Sequence, residues 1–211
     1  MNIHLTDFEK DQLREVASIS AGNASTALSQ LIGRDIGLTV PHMAIDRVEH
    51  VEVLMGDAST LSTVVVAKIL GDVFGAMLVI FPPADAHELS ELLIHHTTGH
   101  ETAHTQSMEG SAIREIGNIV AGAYLNAFSQ FLNLNAVQSV TETMTDQLGA
   151  IVDAVFIGMG QKHDQVFVFS VNFSVKGEDV KGRLFLVFDP GSTERILAIT
   201  RGKLGASTIL R

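Results

Sequence analysis

Cysteine and tryptophan are absent from this sequence of 211 residues, and proline occurs only four times. Without cysteine the chain has no disulfide, no zinc ribbon and no thiol nucleophile. Basic residues are also few, with 14 Lys and Arg against 24 Asp and Glu, and the net charge is −10. This balance argues against a nucleic-acid partner, because phosphate binding needs a clustered positive field. The composition that remains is globular, with 46% hydrophobic residues, and is sufficient for one domain with a substantial core.

Neither a targeting signal nor a membrane span is apparent in the sequence. The first ten residues, MNIHLTDFEK, have no basic start and no apolar run of signal-peptide length. The most apolar region, residues 64–83, is interrupted by Lys68, Gly71, Asp72 and Gly75, so it does not resemble a transmembrane helix. We therefore expect a cytoplasmic protein that does not insert into membranes.

Two segments that lie 100 residues apart resemble each other without a gap. Residues 11–32 read DQLREVASISAGNASTALSQLI, and residues 111–132 read SAIREIGNIVAGAYLNAFSQFL. Further along, GAMLVIFPP from Gly75 resembles GRLFLVFDP from Gly182. A repeat of this length is too long for a solenoid unit and predicts a duplicated half-domain. We expect a single domain over residues 1–211, built from repeats of about 1–100 and 101–211, and an internal duplication favours a monomer.

The hydrophobic periods predict the same succession of helices and strands in both halves. In the first half we predict a helix at Asp7–Ile32, strands at 48–54, 61–70 and Gly75–Phe81, and a helix at 84–96. In the second half we predict a helix at Gln106–Leu132, strands at 150–157, Gln165–Val175 and 183–188, and a helix at 193–204. Thr6 and Glu9 form a capping-box pattern before the first helix, and Gly33 stands where a C-cap glycine belongs. The expected fold class is α+β, with pseudo-two-fold half-domains and long helices packed on a largely antiparallel sheet.

Each repeated helix carries a polar stripe opposite its apolar face. On a helical wheel the first stripe falls within about 60° and contains Asp11, Glu15, Ser18 and Gly22. The second contains Ser111, Glu115, Asn118 and Gly122, and the core face of that helix is predicted to contain Ile113, Ile116, Val120, Ala127, Phe128 and Phe131. A solvated helix face is polar in any case, and this explains most exposed glutamates.

The solvated-face interpretation explains Gly22 and Gly122 less well. A glycine inside a helix costs roughly 1 kcal/mol relative to alanine. Two interpretations remain open. The glycines leave the glutamate and its i+3 neighbour accessible to a flat partner surface, or they permit close packing of the helices.

The pattern [D/S]-x3-E-x2-N-x22-P on repeated helices resembles the CheC/CheX/FliY phosphatases of chemotaxis. Two copies that cover nearly the whole chain, without an extra domain, resemble CheC most. The second copy matches at Ser111, Glu115 and Asn118, and has Thr141 at the proline position. The first copy matches at Asp11, Glu15 and Pro41, and has Ser18 in place of the amide.

The resemblance implies a hydrolase that removes the aspartyl phosphate from the response regulator CheY. The regulator brings its own Mg²⁺, so the phosphatase needs no cofactor, and its work is to position water and fix charge. By this resemblance Asn118 positions the water, and Glu115 anchors the active-site lysine of the regulator. Glu15 docks a regulator at the first site, which Ser18 makes weaker, because a hydroxyl lacks the geometry of an amide.

Three alternatives remain beside the phosphatase. One is a weakly catalytic adaptor that binds phosphorylated CheY or the receptor deamidase CheD, which the resemblance also implies as a partner. Another is a structural component of the flagellar or archaellar switch, for which we find no additional switch-protein domain. The last comes from residues 100–104, HETAH, which fit the H-E-x-x-H zinc-protease motif. That segment is polar and has no apolar stripe, so we expect adventitious metal binding there rather than a metalloprotease, and we assign the chain no metal site.

Overall fold

Helices and strands follow the same order in both halves of the chain. The computed structural model describes residues 5–98, 106–159 and 165–208. Its elements are α1 (Asp7–Ile32), β1 (Ile36–Arg47), α2 (Val48–Met55), β2 (Leu61–Gly71), β3 (Gly75–Phe81), α3 (Pro83–Thr98), α4 (Gln106–Leu132), β4 (Ala136–Gln138), β5 (Glu142–Gln147), α5 (Leu148–Gly158), β6 (Gln165–Val175), β7 (Lys181–Phe188) and α6 (Pro190–Thr208). The strand that follows the long helix is continuous in the first half, as β1, and split in the second half, as β4 and β5.

The seven strands form one antiparallel sheet in the order β1-β6-β7-β3-β2, and β4 and β5 both pair with β2. The edge strand of each half pairs with the long strand of the other half: β1 pairs with β6, and β4 and β5 pair with β2. In one pairing Leu38 lies opposite Phe173, and in the other Gln138 lies opposite Ile69. Positions 38 and 138 differ by 100, and positions 69 and 173 differ by 104, so the two edges have equivalent registers. The predicted fold class, α+β with a largely antiparallel sheet, is confirmed.

Apolar cores lie on both faces of the sheet. One face packs under α1, α3, α4 and α6, and contributes alternate strand residues such as Val65, Val79 and Phe169. The other face contributes residues such as Val64 and Ile80 and packs under α2 and α5. Because both faces are covered, β3 is buried along its whole length.

The long helices α1 and α4 pack against each other on the first of these faces. Phe128 of α4 is stacked on Phe188, with ring centroids 5.6 Å apart, and meets Phe169 edge-on at 5.5 Å. These contacts fix the rotation of α4 about its axis, because aromatic pairs have preferred geometries. The polar stripe of α4 therefore has a defined direction.

The ends of α1 are those that the sequence predicts. The backbone N–H of Thr6 donates to Glu9 Oε2 at 2.7 Å, and the backbone N–H of Glu9 donates to Thr6 Oγ1 at 3.3 Å. The helix ends at Gly33, which has φ 71° and donates its N–H to the carbonyl of Ser29. The predicted ranges of α1, α4, β3 and β6 are confirmed, and the predicted α3, α6, β2 and β7 are confirmed with ends that differ by at most four residues.

Two predicted strands are wrong, because residues 48–54 and 150–157 form helices α2 and α5. The buried residues of α2 are Val51 and Met55, and those of α5 are Leu148, Ile151, Val152 and Phe156. Spacings of three and four are those of an amphipathic helix, and they outweigh the β-branched composition that favoured strands. The prediction that Phe131 lies on the core face of α4 is also wrong, because 37% of the surface of this residue is exposed.

Candidate functional site

The two polar stripes face outward from α1 and α4. On α1, Asp11, Glu15 and Ser18 are all exposed. On α4, Ser111 and Glu115 are exposed, whereas Asn118 is half-buried. The structure therefore brings the predicted residues together within each helix, and the two sets differ in how accessible the third residue is.

The carboxylates of Glu15 and Glu115 are free to meet a cation. Within the described ranges, neither side chain makes a hydrogen bond or an ion pair. Asp11 differs, because its carboxylate lies 3.5 Å from Arg14 in an exposed i,i+3 pair of little energetic weight. Each glutamate thus offers an acceptor that is not occupied by its own helix.

Ser111 does not present its hydroxyl as a free donor. Its Oγ donates to the backbone carbonyl of Ser107 at 2.9 Å, one turn earlier on α4. The Ser111 hydroxyl therefore provides a hydrogen-bond donor for a backbone carbonyl near the start of α4. Glu115 and Asn118 remain the residues of this stripe whose polar atoms are available to a partner.

The carboxamide of Asn118 is held by a residue that the sequence pattern does not include. Gln138 Nε2 donates to Asn118 Oδ1 at 2.7 Å and to the backbone carbonyl of Asn118 at 3.2 Å. Gln138 is the last residue of β4, and pairing with Ile69 of β2 fixes its position beside α4. Its side chain passes over Gly122, where an added Cβ would lie 3.5 Å from Nε2.

Among its described residues, the first half has no equivalent of this contact. Position 38, which corresponds to 138, is Leu38, and its partly buried side chain packs against the core. Ser18 makes no hydrogen bond through its hydroxyl to any other described residue. An added Cβ at Gly22 would meet nothing within 4 Å. The two glycines therefore have different surroundings, since Gly22 is open and Gly122 lies beneath Gln138.

Pro41 and Thr141, at the proline position of the two motif copies, both lie where an edge strand departs from regular pairing. Pro41 lies in the irregularity of β1 between Thr39 and His42, and the buried Thr141 lies between β4 and β5. In the second half Ser139 bridges the break: its N–H donates to the carbonyl of Lys68, and its hydroxyl accepts from the Lys68 N–H, both at 2.9 Å. The break thus forms there without a proline.

None of the best-defined cavities in the described part of the chain is lined by a candidate residue. The best-defined cavity in the described part of the chain, about 490 Å³, lies beside α2 and α5, and Ile80, Leu148 and Arg183 are among its lining residues. Burial lowers the pKa of Arg183, whose guanidinium donates to the carbonyls of Leu54 and Met55. Small-molecule sites are usually concave, so the exposed faces of α1 and α4 fit a macromolecular partner better.

The HETAH segment lies outside the described residues, so the expectation of adventitious metal binding there stays a prediction. Within the described ranges, His87, Glu91 and Glu109 are near enough to share a metal ion, with ligand atoms within 4.8 Å of one another. His87 Nδ1 lies 3.3 Å from Glu109 Oε1, which is also the geometry of a surface ion pair.

The segments that carry the two candidate sites match the sequence model of the CheC-like family, at residues 8–43 and 108–135. Over 202 residues the chain is 28% identical to the Bacillus subtilis (strain 168) protein named CheY-P phosphatase CheC, and the alignment covers 94% of this chain and 95% of that protein. The resemblance to the CheC-like family is confirmed. The matched segments contain all six predicted site residues, and Gln138 lies beyond them.

Solved structures extend the comparison to the fold. FliY of Thermotoga maritima is 21% identical, with a TM-score of 0.74 and coverage of 95% of this chain and 100% of that one. FliM of H. pylori, crystallised with SpeE, is 11% identical, with a TM-score of 0.68 and coverage of 94% and 97%. At these identities the likeness is one of fold. Among the described residues no helix is both long and apolar enough to span a bilayer.

Proposed function

We propose that this protein is a phosphatase that acts in chemotaxis on the aspartyl phosphate of a CheY-type response regulator. One observation carries the proposal: a free carboxylate, Glu115, and an oriented carboxamide, Asn118, lie one turn apart on the outer face of α4. The 28% identity to a protein named CheY-P phosphatase CheC supports the choice of substrate.

The reaction is hydrolysis of an acyl phosphate. A water oxygen forms a bond to phosphorus, and the bond from phosphorus to the aspartyl oxygen breaks. The electron pair leaves with the carboxylate of the regulator, and the proton of the water passes to the released phosphate. Because the aspartyl carboxylate is a good leaving group, the phosphatase has mainly to position the water and stabilise charge. By the family resemblance the Mg²⁺ near the phosphoryl group belongs to the regulator.

Asn118 and Glu115 divide this work in the proposal. The amide of Asn118 hydrogen-bonds the attacking water and holds it in line with phosphorus. The carboxylate of Glu115 receives the active-site lysine of the regulator in a charge-assisted hydrogen bond. Their i,i+3 spacing places both groups on one helix face, and the exposure of Glu115 leaves its carboxylate open to a docking protein.

The first site serves in the proposal mainly for docking. Glu15 is as exposed as Glu115 and receives a lysine in the same way, with Asp11 adding negative charge one turn earlier. Ser18 has no amide and, among the described residues, no polar neighbour equivalent to Gln138. Its hydroxyl holds a water with less control of direction, so we expect little hydrolysis there.

An adaptor is the second candidate, and the incomplete first site favours it. Because the first site has Ser18 in place of the amide, the chain would bind phosphorylated CheY or CheD through its carboxylates and hydrolyse little phosphate. The intact pair at Glu115 and Asn118 opposes this alternative, and a measurement of phosphate release discriminates between the two functions.

The test follows the loss of phosphate from a phosphorylated CheY-type regulator in the presence of wild type, Asn118→Ala and Ser18→Ala. We expect wild type to accelerate the loss, Asn118→Ala to reduce that acceleration on the order of 100-fold, and Ser18→Ala to change it little. Absence of any acceleration by wild type would exclude the phosphatase. Equal rates for all three proteins would exclude the assignment of the site.

A further inference from the structure

We propose that Gln138 is a positioning residue, which fixes the end of the Asn118 carboxamide that faces the docked regulator. This inference rests on the proposed function and adds a residue to the same site. Gln138 comes from β4, 20 positions after Asn118, and touches the Asn118 side chain and main chain together. Apart from Asn118, Gln138 makes no hydrogen bond to a predicted site residue within the described ranges.

The two contacts determine the direction of both amides. The main-chain carbonyl of Asn118 can only accept a hydrogen bond, so the end of Gln138 beside it, at 3.2 Å, is the nitrogen. The same nitrogen lies 2.7 Å from the nearer end of the Asn118 amide, which must then be the oxygen. The backbone carbonyl thus sets the direction of Gln138, and Gln138 sets the direction of Asn118.

Asn118 Nδ2 is consequently the free end of the amide, and no described residue accepts a hydrogen bond from it. It offers two N–H donors to a lone pair of the attacking water or to a phosphoryl oxygen. Oδ1 keeps one lone pair and can still accept from the water. Without Gln138 the amide would turn freely about its last torsion, and its two ends would exchange at little energetic difference.

The surroundings of Gln138 oppose a purely structural role. Its Oε1 is buried and has no hydrogen-bond partner among the described residues, which is unfavourable for a buried acceptor. The equivalent position in the first half is an ordinary apolar residue, Leu38. Leucine there accompanies Ser18, and glutamine here accompanies Asn118, so the supporting amide occurs only beside the amide that it orients.

The experiment compares wild type with Gln138→Leu, which gives the second half the residue of the first. We expect kcat for phosphate release to fall roughly tenfold, because the water loses its defined partner. KM for the phosphorylated regulator should stay within about twofold, because Glu115 still docks the lysine. The melting temperature should change little, because removal of the buried unpartnered oxygen offsets the loss of the two hydrogen bonds from Nε2. A structural role would lower the melting temperature.

A matched control and a double variant complete the test. Gln130→Leu makes the same change at an exposed position of α4, about 18 Å along the helix from Asn118, and should leave kcat unchanged. In an Asn118→Ala background, Gln138→Leu should have no further effect, because it acts through Asn118. An active wild type with an equally active Gln138→Leu, or equal losses in both backgrounds, would overturn this inference alone. A wild type without activity would overturn the proposed function and this inference with it.

Discussion

Gly22 and Gly117 both lie inside long helices, yet the structure predicts opposite effects when each is replaced by alanine. A Cβ added at Gly22 would meet nothing within 4 Å. Alanine there gains the helix propensity that glycine lacks, about 1 kcal/mol. For a chain of this length, that gain corresponds to a rise in melting temperature of roughly 2–4 °C.

Gly117 faces the sheet and has no space for a side chain. A Cβ there would lie 2.5 Å from Val65 Cγ1 and 2.7 Å from Val65 Cβ. Overpacking of this kind costs about 1–3 kcal/mol and outweighs the propensity gain of about 1 kcal/mol. We therefore expect Gly117→Ala to reduce stability by about 1 kcal/mol.

Urea unfolding of wild type, Gly22→Ala and Gly117→Ala measures both effects, provided that the m-values agree. A less stable Gly22→Ala, or a Gly117→Ala as stable as Gly22→Ala, would refute the packing argument. The same variants address the open question about Gly22. If this glycine leaves room for a partner, Gly22→Ala should be more stable than wild type and bind the phosphorylated regulator less tightly.

Three other predictions concern stability, pH and metal. Tyr124→Phe should raise the free energy of unfolding by about 1 kcal/mol, because the buried hydroxyl has no partner among the described residues. For Glu9, burial raises the pKa, but hydrogen bonds from Thr6 and Arg201 outweigh it and hold the pKa below the ordinary value of 4.5. The stabilisation from its charged form is therefore complete above that value and is lost as pH falls through the lower pKa of the folded state. In thermal unfolding, Glu9→Gln should be less stable than wild type at pH 7, and the difference should shrink as the pH is lowered below 4.5. Elemental analysis should find no stoichiometric zinc after EDTA dialysis, with phosphate release unchanged.

Strong periodicity explains why much of the fold was predictable from the sequence. The helices α1 and α4 have long apolar stripes and clear ends, and β3 and β6 have the apolar patterns of buried strands. The short elements were not predictable in the same way. In α2 and α5 a β-branched composition concealed a helical spacing, and only packing against the second face of the sheet decides between helix and strand.

The edge strands β1, β4 and β5 illustrate a different limit. β5 is largely polar, β4 has only three residues, and β1 is interrupted by Pro41 and a shift of register, so local patterns predict these strands poorly. They form because the long strands β2 and β6 offer unpaired edges. This pairing joins residues about 70 to 140 positions apart and is not visible in any short window of sequence.

The polar stripes of the candidate site follow from helical spacing, which places Glu115 and Asn118 on one face whatever the rest of the chain does. Gln138 was missed, because it reaches Asn118 only through the pairing of β4 with β2. The repeat did contain a signal. Alignment at an offset of 100 places a glutamine opposite Leu38, and a polar residue opposite a core residue indicates a changed environment.

The rate of the chemical step tests whether Asn118 directs the hydrolysis. It is measured in a single turnover with the protein in excess over the phosphorylated regulator. Saturation removes differences in docking, so the rate reports on how the water is held. We predict that Asn118→Ala lowers this rate on the order of 100-fold relative to wild type. A rate equal to that of wild type would contradict the claim that the amide on α4 directs the hydrolysis.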